Sequence, residues 1–71
     1  MAKYTIKDFQ LGETVYHLSN TSLKMVAILI NPGMNEITCR WVDKKGNMQV
    51  IEFMPEELGK AKDLGIRFSS I

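Results

Sequence analysis

Between Glu36 and Phe53 the chain reads Glu-Ile-Thr-Cys-Arg-Trp-Val-Asp-Lys-Lys-Gly-Asn-Met-Gln-Val-Ile-Glu-Phe, two alternating segments around a polar turn. Successive side chains of a strand point to opposite faces, so Ile37, Cys39 and Trp41 share one side and Thr38 and Arg40 the other. Asp43-Lys44-Lys45-Gly46-Asn47 supplies the reversal, with Gly46 suited to a positive φ. Beyond it, Ile51 and Phe53 share one parity, Met48 and Val50 the other. Pairing the apolar parities makes Ile37, Cys39, Trp41, Ile51 and Phe53 one wall of a core. The stretch commits the chain to a β-fold and names no reaction.

The flanking sequence extends the pattern. Tyr4 and Ile6 have strand-like spacing, and Gly12 permits a turn before Thr14–Leu18, a run of β-branched, aromatic and apolar residues around His17. Strict alternation sets Val15 and His17 against Tyr16 and Leu18, and the apolar Leu18 points to a bulge at that end. Ser19-Asn20-Thr21-Ser22 reads as a loop, because short polar side chains satisfy their own backbone. Lys24–Ile30 has the length of a strand and is apolar at both parities after Lys24, as expected of a central strand. Asn31–Asn35, with Pro32 and Gly33, closes a hairpin. Pro55 followed by Glu56 and Glu57 predicts a short helical turn, since proline suits the first turn and acids suit the positive end of the dipole. Whether the helix runs on to Gly65 stays open: Leu58, Ala61 and Leu64 recur every third residue, but Gly59 costs about 1 kcal/mol relative to alanine. Residues 59–71 read as a C-terminal extension in which Gly65–Ser69 forms a last strand or a tail. The expected architecture is mainly β: one domain over residues 1–71, a small antiparallel barrel of four to five strands with one short helical turn near the C-terminus. Closure would remove exposed edges.

Composition narrows the function classes. A chain of 71 residues with 45% hydrophobic and 24% charged side chains supports one small core. Its single cysteine, Cys39, cannot form an internal disulfide, which fits a reducing, cytoplasmic location. The longest apolar run, Met25–Ile30, is far below the roughly 18 residues of a membrane span, and the N-terminus does not read as a signal peptide. A net charge of +1 is no electrostatic footprint for nucleic acid.

Gly12-Glu13 with Val15, then Met25-Val26, Cys39-x-Trp41-x-Asp43, Phe53 and Leu58 resemble the pattern of the YodC-like small bacterial proteins. The likeness covers about residues 9–58 and is most specific at Cys39-Arg40-Trp41-Val42-Asp43. Leu18–Leu23 lacks the glycines and proline of that family's loop, and Val42 stands where an aromatic is common. The resemblance implies an SH3-like barrel and no particular activity.

Candidate sites are few. One Cys and one His fall short of the roughly four ligands of a zinc site, and no cofactor is expected. Cys39 sits at core spacing rather than beside a base, Glu52, Glu56 and Glu57 read as structural acids, and no Ser/His/Asp arrangement stands out, so the chain reads as a non-enzyme. Trp41 reads as core and Tyr16 as the better exposed ring. Arg40, Lys44 and Lys45 near the hairpin tip, with Lys24 across the sheet, are the cations that would meet a charged ligand. Tyr16, Lys24, Arg40, Lys44 and Lys45 therefore form the candidate binding set. The expected role is a protein-interaction or accessory module with an unidentified protein partner, or a second copy of itself; nucleic-acid binding is the alternative, which would want exposed aromatics beside the cations.

Overall fold

A computed structural model describes residues 4–64 and shows one five-stranded antiparallel sheet. Its strands are β1 (Thr14–His17), β2 (Asn20–Asn31), β3 (Glu36–Val42), β4 (Met48–Phe53) and β5 (Leu58–Lys60), in the order β4-β3-β2-β1-β5. The only helical elements among the described residues are 3-10 turns at Ile6–Asp8, Pro55–Glu57 and Ala61–Leu64. The turn expected around Pro55 is present, but the chain then enters β5 instead of continuing as a helix. Residues 59 and 60 thus belong to the sheet rather than to an appended segment. The last strand or tail expected at 65–69 lies outside the described residues.

The central hairpin follows the alternation of its sequence. β3 and β4 pair from Ile37↔Phe53 to Val42↔Met48, with Cys39 opposite Ile51. Gly46 adopts φ +87 in the turn, and the Asp43 carboxylate accepts the N–H groups of Lys45 and Asn47, both at 2.9 Å. At the β2–β3 turn the positive φ (55) falls on Asn35, which tolerates it, and not on Gly33.

β2 explains its own two-sided apolarity. Ala27 pairs with Cys39 and Leu29 with Thr38, so Ile28 is an extra, bulged residue. Met25 and Ala27 face inward before it, Ile30 after it, and the parity of the strand changes at the bulge. A second irregularity follows Tyr16, where His17 pairs with Asn20. The bulge signalled by Leu18 is therefore real, but the loop expected at Ser19–Ser22 shrinks to a turn at Leu18–Ser19, and Asn20–Ser22 begin β2.

The expected barrel does not close: no ladder among the described residues joins β4 to β5. The sheet is nevertheless strongly coiled. β4 and β1 would lie about 14 Å apart across three flat strand spacings, yet the rings of Phe53 and His17 have centroids 5.3 Å apart. The two bulges supply bend, and the short link from Phe53 through the 55–57 turn to β5 requires it. Closure by hydrogen bonds stops because β5 is three residues long and, among the described strands, pairs with β1 alone.

Inside the coil Phe9, Val15, Met25, Ala27, Ile37, Cys39 and Leu58 are buried, with Tyr4, Ile6, Leu23, Ile30, Trp41 and Phe53 packed around them. Trp41 is thus at the core, as its parity requires. One charge enters this shell. Lys60 is 7% exposed, its Nζ 3.1 Å from Glu13 Oε2, hydrogen-bonded to the Asp8 carbonyl, and 4.8 and 5.3 Å from the ring centres of Tyr4 and Phe9.

Candidate functional site

The register that sends Cys39 and Ile37 inward sends a different set of side chains outward. One row crosses four strands as Thr14–Val26–Arg40–Val50; its neighbours are Leu29–Thr38–Glu52 on one side and Val42–Met48 on the other. This outer face is apolar for an exposed surface: Val50 is 49% exposed, and Leu29, Val42 and Met48 between 56% and 57%. Single exposed apolar residues are ordinary, but these four share one sheet face. The face runs out to β4, an edge strand whose outward side meets no other strand among the described residues.

The five residues of the expected binding set are only partly brought together. Tyr16 pairs with Lys24 across β1 and β2, and the same face carries Arg40, so three of them share the outer surface. Lys44 and Lys45 are exposed at the hairpin tip. Tyr16, however, is not an exposed ring. It is 8% exposed and lies over Gly59 of β5, where an added Cβ would come within 2.5 Å of its Cζ. Glycine opposite an aromatic opens a seat for the ring, and alternation within β1 gave no sign of the neighbouring strand that provides it. The Lys24 ammonium, 5.9 Å from the centre of that ring, is engaged by the Thr21 carbonyl. None of the described aromatic rings is among the exposed large apolar residues.

A second constellation escaped sequence reasoning. His17 Nε2 lies 3.2 Å from Glu57 Oε1, and its Nδ1 lies 2.7 Å from Ser19 Oγ. Forty residues separate His17 from Glu57, and the pairing of β5 with β1, which sets Leu58 opposite His17, brings the 55–57 turn onto β1. The chain Ser19–His17–Glu57 has the members of a hydrolytic triad but a different geometry. The Ser19 N–H also donates to Nδ1, at 3.1 Å, so the lone pair that would take the hydroxyl proton is already engaged. Glu57 in turn accepts the Met54 N–H at 3.2 Å, and its carbonyl accepts the Leu18 N–H at 2.9 Å. These bonds fasten the Leu18–Ser19 turn to the 55–57 turn.

Cys39 is fully buried, and burial pushes its thiol up to about 11, away from the thiolate a nucleophile needs. Tyr4, Thr5, Asn35, Pro55 and Glu56 line a depression of about 200 Å³, below the roughly 300 Å³ at which small-molecule sites begin. Among the described residues no three His, Cys, Asp or Glu side chains group as metal ligands, and no helix is long and apolar enough to cross a membrane. The chain matches no family model, no curated protein and no solved structure.

Proposed function

We propose that the chain is a cytoplasmic, non-catalytic protein-interaction module of the YodC-like type, binding through the outer face of β3 and β4 and the outward edge of β4. One observation carries this reading: Leu29, Val42, Met48 and Val50 stand exposed together on a sheet face that ends in a strand with no further neighbour among the described residues. A strand edge offers main-chain hydrogen bonds to an incoming segment, and apolar side chains beside it supply the area that such bonds lack. Two residues of the resemblance lie beside this face: Cys39 fills the wall behind it, and Asp43 holds the hairpin tip. The nucleic-acid alternative has cations on the same face but no described exposed ring to stack a base, and Lys24 is engaged by backbone.

Titration with single-stranded and duplex RNA and DNA at low salt, beside partner capture with wild type and Val50→Lys, tests the proposal. The expected result is no nucleic-acid binding and a protein partner retained by wild type and lost by the folded Val50→Lys variant. Salt-sensitive nucleic-acid binding, or capture indifferent to Val50, overturns it.

A further inference from the structure

The two edges of the sheet are built differently. β5 is three residues long and carries the inward-pointing charge of Lys60, both of which discourage a further strand. β4 is six residues long and has no proline, lysine or bulge. Its backbone groups are aimed outward in a definite alternation. Asp43 N–H bonds to the Asn47 carbonyl, and alternation from that pair makes Trp41–Gln49, Cys39–Ile51 and Ile37–Phe53 the hydrogen-bonded pairs of the hairpin. The main-chain groups of Met48, Val50 and Glu52 therefore point away from β3. Side chains on both faces of this strand are exposed as well, Val50 on the outer face and Ile51, 43% exposed, on the inner one.

Resting on the interaction reading above, we infer that the partner at this edge is a second copy of the chain, its β4 running antiparallel about a twofold axis at Ile51. Antiparallel pairing keeps each face continuous only when residues of equal parity meet, which admits axes at Val50 or at Ile51. Charge chooses between them. Among the described residues Lys60 pairs with Glu13 and the His17 ring meets Glu57, and neither Arg40 nor Glu52 has a charged partner. An axis at Val50 sets Glu52 against Met48 of the second copy and brings neither charge opposite one of the other sign across the interface. With the axis at Ile51, Val50 faces Glu52 of the second copy, and the outer row becomes Arg40–Val50–Glu52–Thr38 across both copies. Arg40 then lies two strand spacings, about 9.6 Å, from Glu52 of the second copy, a gap that the two long side chains span over the Val50 methyls. The symmetry makes this contact twice. Ile51 meets its own copy on the inner face, extending the wall formed by Cys39 and Ala27.

Sedimentation across a concentration series, with disulfide trapping, tests the register. Wild type is expected to form a concentration-dependent dimer. Glu52→Lys, an exposed change checked for folding by circular dichroism, weakens the dimer about tenfold, and the double swap Arg40→Glu with Glu52→Lys restores it. Independently, Ile51→Cys places two thiols across a non-hydrogen-bonded pair, within the Cα separation a disulfide needs, and oxidises to a covalent dimer faster than Val50→Cys. A monomer at every concentration overturns the inference, as does a dimer that ignores the charge swap or crosslinks preferentially through Val50→Cys. The two proposals fail separately: a monomer that still captures a different protein through Val50 sinks the second copy and leaves the interaction reading standing.

Discussion

Buried chemistry at single residues sets the most direct predictions. Below its ordinary value of 9.0 the Cys39 thiol is protonated whether the chain is folded or not; above it only the unfolded chain ionises, so stability falls as pH climbs from 9.0 to about 11. Denaturation midpoints across that range should fall less steeply in Cys39→Ala, and a thiol reagent should label native Cys39 only as fast as the chain opens. Lys60 and Glu13 behave asymmetrically. Removing the acid in Glu13→Ala strands a buried ammonium at about 3 kcal/mol, whereas Lys60→Met replaces the charge with a side chain of similar length and costs less; urea denaturation of the two variants reads the order. At the hairpin tip the Asn47 N–H, then Gln49, holds the Asp43 carboxyl below its ordinary range. Its contribution is present above the ordinary carboxylate value and disappears as pH falls through its own lowered one, so the difference in midpoint between wild type and Asp43→Ala should shrink in acid.

Among the elements, β3, β4 and their turn were legible because each rests on information within eighteen residues: alternation, a glycine for the positive φ, and an aspartate to hold the loop. β2 was legible as a central strand, but its bulge was not, since Ile28 resembles its neighbours and only its partners on β3 reveal it as extra. β5 stays open in the sequence, as helix, closing strand or tail, because Leu58, Gly59 and Lys60 carry no β signal; their conformation is set by pairing with β1, more than forty residues away. For the same reason the seat of Tyr16 and the His17–Glu57 bond were invisible, as each joins β1 to the C-terminal part through that pairing. Gly59→Ala tests that seat. Its Cβ would sit 2.5 Å from Tyr16 Cζ, and displacing the ring should cost about 1–3 kcal/mol. In a Tyr16→Leu background the same substitution should cost clearly less in thermal denaturation.

Over the whole molecule, curvature is the property that local patterns left out. Deleting Ile28 leaves every following β2 side chain on its present face but takes out the bend; we expect the Phe53–His17 contact to be lost and cooperative thermal unfolding with it. A deletion that melts as wild type does would show that the coil is held elsewhere. The two ends of the sheet also set the size of any assembly. β5 is too short, and its inward lysine too costly to rearrange, to template another strand. Growth by strand addition therefore has one direction only. Among the described strands, a twofold pairing through β4 consumes the single available edge on each copy, and association halts at a pair, where a molecule with two serviceable edges would polymerise.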